Sequence, residues 1–339
     1  MIIILKPEAS ESVIDAVVSR IEEFGFKPHI SRGEFRTIIG AIGEERPQIA
    51  PLIEEITGVE RVVPIMRPYK LASREFHPDD SIFDIKGVKV GQGFITIIAG
   101  PCAIEDEQLL RSVAQSVKNA GAGILRGGAF KPRTSPYSFQ GLGEVGLKIL
   151  RDVGDEFGIP VVTEVMDPRD VELVERYADI LQVGARNMQN YNLLQEVGKT
   201  RKPIFLKRGL AAKVSEWLMS AEYILAEGNT QVILCERGIR TFSDETRFTL
   251  DISAIPIIKQ NSHLPVFFDP SHSTGKRDLI APMTLAGLAA GADGVMIEVH
   301  SCPDKAKCDG PQAFPPSSFE KLMERVRALA KIMDKSIST

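Results

Sequence analysis

The feature that most constrains this chain is a regular alternation of short apolar runs with longer helical patterns after residue 92. Each run is short and largely apolar and precedes a segment long enough for a crossover helix. The runs occupy residues 95–99, 123–126, 161–164, 180–183, 204–207, 232–236, 266–269 and 294–298. Eight βα units in roughly 245 residues fit a (β/α)8 TIM barrel better than a doubly wound sheet, which usually has fewer strands. We therefore predict an α/β fold with a catalytic barrel over residues 93–339.

Residues 1–66 follow a different pattern. Strand-like runs and helical patterns alternate in the order βαββαβ, at residues 2–5, 10–24, 27–31, 37–42, from 47 onward, and 59–65. That order is typical of the ferredoxin-like arrangement, a four-stranded antiparallel sheet with two helices on one face. We interpret this segment as a regulatory domain; a covering or oligomerisation module without a ligand is the alternative. Residues 67–92, punctuated by prolines and glycines, are predicted as a linker and a hairpin that closes the barrel.

Composition narrows the class of partner. The 339 residues include 41 Lys and Arg against 45 Asp and Glu, a formal charge of −4, which argues against nucleic acid. No apolar run approaches the ~18 residues of a membrane span, and the opening MIIILKPEAS is too short for a signal peptide. Four cysteines are too few for a disulfide scaffold in a chain of this length. We expect a cytoplasmic protein that binds neither membrane nor nucleic acid.

Cations collect where the predicted strands end. The functional side chains of a TIM barrel lie at this rim, because it gathers residues from all eight units. The cations at or just after these positions are Arg126, Lys131, Arg133, Arg186, Lys207 and Arg237. Like charges this close repel unless anions lie between them, and arginine matches phosphate and carboxylate oxygens in a bidentate fashion. The pattern predicts substrates with more than one anionic group, such as phosphorylated sugars or acids.

Metal-type ligands form a second set at the same rim. They come from the first, seventh and eighth units and are Cys102, His272, Glu298 and Asp309. One sulfur, one imidazole and two carboxylates suit a single divalent Mn, Fe, Co or Zn ion better than magnesium, which prefers oxygen only. Cys302 and Cys308 lie in the final loop and could act as further ligands, or as oxidation partners for Cys102 when no metal is present.

Five stretches carry a resemblance to a known family. They are Gly100-Pro101-Cys102, Leu125-Arg126-Gly127-Gly128, Lys131-Pro132-Arg133-Thr134-Ser135, Gly184-Ala185-Arg186-Asn187 and Asp269-Pro270-Ser271-His272. With these motifs the chain resembles the 3-deoxy-D-arabino-heptulosonate 7-phosphate (DAHP) synthases over residues 80–335. The stretch 131–135 distinguishes that family from its sister, 3-deoxy-D-manno-octulosonate 8-phosphate synthase, which carries an Ala-Asn-Arg-Ser-Ser pattern there. Residues 1–66 look like the regulatory extension found in part of the shorter-chain branch.

The resemblance implies a metal-dependent, aldol-like condensation of phosphoenolpyruvate with D-erythrose 4-phosphate and water. The products would be DAHP and phosphate, in the first step of the shikimate pathway to chorismate and the aromatic amino acids. It also implies a homo-oligomer, with a tetramer favoured, and feedback regulation by Tyr or Phe through the N-terminal domain.

The same resemblance assigns roles to the rim residues. The carboxylate and phosphate of phosphoenolpyruvate would be held by Arg126, Lys131, Arg186, Lys207 and Arg237. The sugar phosphate would be held by Arg133, Thr134 and Ser135, with a contribution from Arg277. The metal, with His272 as catalytic ligand, would polarise the aldehyde oxygen, and Lys131 would protonate it. Glu164 or a metal-linked water would activate the attacking water.

Three alternatives stay open on the sequence. The first is the sister synthase acting on arabinose 5-phosphate, against which the stretch 131–135 argues. The second is a Schiff-base aldolase with Lys207 as nucleophile, activated by desolvation and by Arg208 and Arg237. The third is a sensor, in which the N-terminal domain binds an amino acid and the barrel is an inactive platform. The metal set would have no purpose in the second, and an intact set argues against the third.

Overall fold

The computed structural model describes residues 1–33, 36–43, 46–63, 68–131, 135 and 137–339. The chain divides into two compact units, Met1–Asp79 with Asn261–His263, and Asp80–Gln260 with Leu264–Thr339. The division into residues 1–66, 67–92 and 93–339 stays a prediction, and residues 64–67 at its first boundary lie outside the described residues.

The first unit contains the predicted ferredoxin-like arrangement. Its elements are β1 (Ile2–Leu5), α1 (Glu11–Glu23), β2 (Lys27–Arg32), β3 (Thr37–Ile42), α2 (Ala50–Glu54) and β4 (Val59–Val63). The strands pair antiparallel in the order β2-β3-β1-β4. Helix α1 buries Ile14, Val17 and Ile21, one stripe at helical spacing, in a core with Ile3 and Ile39 of the sheet.

The second unit consists of a hairpin followed by a closed barrel. The hairpin consists of β5 (Ile82–Ile85) and β6 (Val88–Gly91), paired antiparallel. The barrel strands are β7 (Phe94–Gly100), β8 (Ile124–Arg126), β9 (Val161–Val165), β10 (Ile180–Val183), β11 (Ile204–Lys207), β12 (Val232–Glu236), β13 (Val266–Phe268) and β14 (Gly294–Glu298). Each pairs in parallel with the next, and β14 pairs with β7 with Glu298 opposite Gly100, so the barrel closes. The predicted fold is confirmed.

Helices cover the outside of the barrel. They are α3 (Glu107–Ala120), α4 (Glu144–Phe157), α5 (Val171–Tyr177), α6 (Tyr191–Gly198), α7 (Val214–Ala226), α8 (Ala254–Asn261), α10 (Arg277–Ala289) and α11 (Pro316–Ile332). A further short helix, α9 (Pro270–Thr274), lies at the rim directly after β13. In α3 the buried stripe includes Leu110, Val113 and Val117, whereas Leu109 is only half-buried. A strand that the sequence did not predict, β15 (Ser336–Ser338), pairs in parallel with the start of β7.

The hairpin shares one hydrophobic core with the barrel interior. Phe83, Ile85, Val88 and Val90 lie in a cluster with buried side chains from all eight barrel strands, Cys235 among them. The barrel is therefore filled rather than hollow, and the chemistry is left to the rim where the strands end. Among the described residues, no helix combines the length and the apolar character that crossing a membrane requires.

Candidate active site and metal group

Four side chains from three separate strand ends meet at the rim. Cys102 follows β7, His272 lies in α9 after β13, Glu298 ends β14, and Asp309 lies in the loop beyond. One ligand atom from each lies within 4.8 Å of the others. We call these four residues the metal group. The chain supplies them from positions up to 207 residues apart, and the closure of β14 on β7 is what brings the first and last together.

His272 is held in the tautomer that a metal ligand needs. Its Nδ1 lies 2.7 Å from Oδ2 of Asp269, so Nδ1 carries the proton and donates it to that carboxylate. Burial lowers the pKa of His272 despite the opposing charges of Asp269 and Glu298, so the ring is neutral at pH 7. Its Nε2 is then a bare acceptor, 3.1 Å from Oε1 of Glu298, which is also an acceptor. Two acceptors facing each other at this distance fit a cation held by both.

The remaining ligands also fit a divalent ion. Burial by itself raises the pKa of Glu298 and of Asp309, but neighbours that include His272 lower both by a larger amount. The net pKa of each lies below its ordinary value, so the two carboxylates are ionised. The sulfur of Cys102 lies 3.1 Å from Oδ2 of Asp309 and 3.3 Å from the sulfur of Cys308. The hydrogen bond with Cys308, together with burial, raises the pKa of Cys102. A divalent ion bound here would therefore displace a thiol proton.

Three of the predicted cations contact the metal group or the carboxylate that supports it. Arg126 donates from Nη1 to Oε1 of Glu298 at 3.0 Å, and Lys207 donates to Oδ2 of Asp269 at 2.6 Å. Lys131 donates to both the carbonyl oxygen and the sulfur of Cys102, at 2.9 and 3.0 Å. Burial alone lowers the pKa of Lys131, but the nearby cysteine sulfurs raise it more, so Lys131 is protonated. Buried acids thus offset part of the cationic crowding.

Arg237 is a buried cation that lacks a full set of acceptors. It is 6% exposed, and Nη1 has no hydrogen-bond acceptor among the described residues. Its guanidinium lies over the ring of Phe248, 4.4 Å from the centroid, and burial lowers its pKa. An unsatisfied buried guanidinium is expensive unless an anion binds it.

A cavity of about 300 Å³ opens beside the metal group. Its lining brings together predicted rim residues from six units of the barrel, namely Lys131, Ser135, Glu164, Arg186, Arg237, His272 and Asp309. Glu164 accepts a hydrogen bond from Gln182 at 3.2 Å, which fixes its carboxylate on the wall. The volume suits small molecules, and its wall carries more cations than anions.

Not every predicted site residue can be placed at this cavity. Arg133 and Thr134 lie outside the described residues. Arg277 donates to the carbonyl oxygen of Gly310 at 3.1 Å and is not among the lining residues. Cys302 is exposed, whereas Cys308 lies against Cys102. Roles for these residues stay predictions.

The structure adds residues that we had not assigned. Asp269 bridges Lys207 and His272, and its position directly after β13 is a strand-end signal that the sequence did offer. Gln312 donates to Oε2 of Glu298 at 2.7 Å, and Arg247 donates to both Asp309 and Gln312. The last two lie in loops far from any strand end, so no pattern pointed to them.

Comparisons with known proteins show which family the chain belongs to. The sequence model of the DAHP synthetase I family matches residues 71–335, and that of the DAHP synthase ferredoxin-like domain matches residues 1–67. The chain is 51% identical to a phospho-2-dehydro-3-deoxyheptonate aldolase of Thermotoga maritima, over 97% of this chain and 98% of that relative. It is 34% identical to a 2-dehydro-3-deoxyphosphooctonate aldolase of Syntrophobacter fumaroxidans, over 74% and 92% of the two chains.

Two solved structures from Thermotoga maritima are also similar. The crystal structure of its DAHP synthase matches with a TM-score of 0.80 at 50% identity, over 99% of this chain and 98% of that one. A truncated form of the same enzyme matches with a TM-score of 0.74 at 48% identity, over 79% and 98%. The chain therefore belongs to the DAHP synthetase I family of enzymes and carries at its amino end the ferredoxin-like domain of DAHP synthases.

Proposed function

We propose that this chain condenses phosphoenolpyruvate with D-erythrose 4-phosphate and water to give DAHP and inorganic phosphate, and that the reaction requires one divalent metal ion. Family membership supports the DAHP synthase reaction, the entry step of the shikimate pathway. The observation that carries the metal requirement is the geometry of the metal group, with a neutral His272 facing an ionised Glu298.

Cys102, His272, Glu298 and Asp309 would hold the ion. When bound, a divalent cation supplies Lewis-acid polarisation of the aldehyde. The donor set, one thiolate, one imidazole and two carboxylates, suits Mn, Fe, Co or Zn. Asp269 supports the set, because its carboxylate fixes the tautomer of His272 and balances the charge of Lys207.

The cations around the cavity account for the anionic groups of the substrates. We assign the carboxylate and phosphate of phosphoenolpyruvate to Arg126, Lys131, Arg186, Lys207 and Arg237. Nη1 of Arg237, buried and without an acceptor among the residues that the structure describes, is the strongest support for an anion at this position. The phosphate of erythrose 4-phosphate goes to Arg133, Thr134 and Ser135, by motif, with Arg277 as a further contributor.

The chemistry then follows from the positions of two proton-carrying groups. The methylene carbon of phosphoenolpyruvate bonds to the aldehyde carbon, and protonated Lys131, beside the metal group, gives a proton to the new alkoxide. Water adds to the carbon that bears the phosphate, with Glu164 on the cavity wall as its base. The hemiketal phosphate then collapses, and its carbon–oxygen bond breaks to release inorganic phosphate.

The rival activities fit less well. A Schiff-base aldolase needs an amine that is free to attack the substrate, but Nζ of Lys207 lies 2.6 Å from Oδ2 of buried Asp269 and is engaged in an ion pair with it. The sequence motif at residues 131–135 argues against the sister reaction with arabinose 5-phosphate. Most of this stretch lies outside the described residues.

The test is a comparison of two sugars. Metal-stripped protein would be mixed with phosphoenolpyruvate and either erythrose 4-phosphate or arabinose 5-phosphate, with and without added manganese. Loss of the enol phosphate absorbance reports turnover. We expect turnover with erythrose 4-phosphate only when metal is present, and none for Cys102→Ser under the same conditions. Preference for arabinose 5-phosphate would overturn the sugar assignment, and full turnover without metal would overturn the metal requirement.

We further propose that the ferredoxin-like domain makes the barrel respond to an aromatic amino acid, Tyr or Phe, and that the active form is a homo-oligomer, with a tetramer favoured. Support comes from the domain order and from the match of residues 1–67 to the ferredoxin-like domain of DAHP synthases. Sedimentation of the full chain with and without Tyr or Phe tests the assembly. A monomer under assay conditions would contradict it.

A further inference from the structure

Arg247 reaches the metal group from a loop that no substrate assignment uses. The loop follows β12, and the guanidinium Nη1 of Arg247 donates to Oδ1 of Asp309 at 3.2 Å. The other oxygen of that carboxylate, Oδ2, faces the sulfur of Cys102. One oxygen of Asp309 is thus anchored while the other is presented to the metal group.

A second branch runs from the same nitrogen to another ligand. Nη1 of Arg247 donates to Oε1 of Gln312 at 3.0 Å, and Nε2 of Gln312 donates to Oε2 of Glu298 at 2.7 Å. Gln312 is 3% exposed, so this amide has little access to water. Oε1 of Glu298 faces His272, so again one oxygen is anchored and the other faces the group.

The backbone of the same loop is tied to the helix that carries the imidazole. The amide of Arg247 donates to the carbonyl oxygen of Thr274 at 3.0 Å, and that of Phe248 to the carbonyl oxygen of Ser273 at 2.7 Å. Both acceptors lie in α9, which contains His272. One residue therefore has connections to three of the four ligands.

We propose that Arg247 is a positioning residue for the metal ion, acting through Asp309 and, by way of Gln312, through Glu298. The inference rests on the metal requirement of the proposed function. Two physical effects compete. A cation near the group repels a divalent ion, but Arg247 is 40% exposed, so water screens its charge. Anchoring of ligand carboxylates is typically worth about 10- to 100-fold in metal affinity. We therefore expect the orienting effect to outweigh the repulsion. Removal of Arg247 would weaken metal binding if orientation dominates and strengthen it if repulsion dominates.

The experiment measures metal binding by the full-length, metal-stripped chain, separately from turnover. Cobalt(II) is the probe, since the charge-transfer band of its bond to a thiolate reports Cys102 directly. Isotherms would be recorded for wild type, Arg247→Met, Arg247→Lys, Gln312→Met and the double variant Arg247→Met with Gln312→Met. Arg240→Met is the matched control, because Arg240 is an exposed arginine on the same loop. Far-UV circular dichroism verifies that each variant is folded.

We expect Arg247→Met to raise the dissociation constant for cobalt about 10- to 100-fold. Arg247→Lys should restore part of that loss, and Arg240→Met should behave as wild type. The loss in the double variant should be smaller than the product of the two single losses, because both remove the same Arg–Gln bond. Turnover of Arg247→Met should recover at saturating metal, which loss of a substrate contact would not allow.

Unchanged or tighter cobalt binding by folded Arg247→Met would overturn this inference and leave the metal requirement intact. Absence of cobalt binding by the wild-type chain would instead overturn the metal requirement, and the inference with it. Should Arg247→Met fail to fold, the folded Arg247→Lys and Gln312→Met variants decide: wild-type affinity in both overturns the proposal.

Discussion

At the scale of single residues, Arg237 shows how an unsatisfied group in the structure predicts a ligand. Its Nη1 is buried and has no acceptor in the part of the chain that the structure describes, and the proposed occupant is a phosphate. A hydrogen bond to a charged group contributes about 1.5–3 kcal/mol, so Arg237→Met should raise KM for phosphoenolpyruvate about 10- to 100-fold. Inorganic phosphate should also raise the Tm of wild type and lose that effect in the variant.

Steady-state kinetics and thermal melts in graded phosphate check both outcomes. Arg169→Met is the control, since Arg169 is 87% exposed in its pair with Asp167. An unchanged KM together with an unchanged phosphate response would remove Arg237 from the substrate site.

At the scale of elements, the turn after β10 fixes the carboxylate of β9 beside it. Gly184 has φ −69° and ψ 158°, which any residue can adopt, but a Cβ there would lie 2.0 Å from Oε1 of Glu164. The flexible end of Glu164 must move if Gly184 becomes Ala. We expect Gly184→Ala to fold with a Tm close to that of wild type and to lower kcat about 100-fold, since small misplacements of catalytic groups are costly.

Circular dichroism melts measure the Tm, and steady-state kinetics with one substrate varied and the other saturating measure kcat. Glu164→Gln should lower kcat similarly, and the double variant should show no further loss if both act on one carboxylate. Wild-type kcat in Gly184→Ala would argue that the position of Glu164 is irrelevant to turnover.

Another element-scale prediction concerns the amino end of β10. Asp179, 6% exposed, accepts from Arg151 at 2.7 Å and from the amide of Val161 at 2.8 Å, and pairs with Lys86 at 2.9 Å. Burial by itself raises the pKa of Asp179, but these donors lower it by a larger amount, so the pKa lies below its ordinary value of 3.8. The stabilisation is therefore complete above about pH 4 and is lost as pH falls through the lower folded-state pKa.

Asp179→Asn should lower the free energy of unfolding at pH 7 by about 2 kcal/mol. Its stability should also fall less steeply than that of wild type below about pH 4, because the variant has no carboxylate to protonate at this position. Urea unfolding at several pH values measures both. Asp152→Asn, an exposed change on the helix that carries Arg151, should leave both quantities unchanged. Parallel pH profiles for wild type and Asp179→Asn would contradict the linkage.

At the scale of the whole molecule, the division into two units can be tested by removing the ferredoxin-like domain. A chain that starts at Phe76 should keep metal-dependent turnover, because the metal group and the cavity lie wholly within the second unit. It should lose any inhibition by Tyr or Phe that the full chain shows. Dose–response curves with both amino acids measure this. The same inhibition in the short chain would show that the ferredoxin-like domain is not the regulatory element.

The sequence was sufficient for the architecture of both units because each rests on local periodicity. Barrel strands such as 180–183 and 204–207 were placed to the residue, since a buried parallel strand is a short apolar run between helices. β15 was missed, because three residues of Ser-Ile-Ser have no such signature. Cys102, His272 and Glu298 of the metal group followed from the strand-end rule, and Asp309 was assigned from the loop beyond β14. Gln312 and Arg247 could not, because their contacts depend on how two loops fold over the rim.

The pairing of β7 has a consequence for how the protein is made. This strand is the first of the barrel to leave the ribosome, yet its partners include β14 and β15, which are translated after all the other strands of the barrel. Until then part of its hydrogen-bonding edge has no native neighbour, and such an edge is a template for wrong pairing. The ferredoxin-like sheet, whose four strands all lie within residues 2–63, carries no comparable delay. Nascent chains stalled before residue 294 should therefore depend on chaperones in the barrel segment alone.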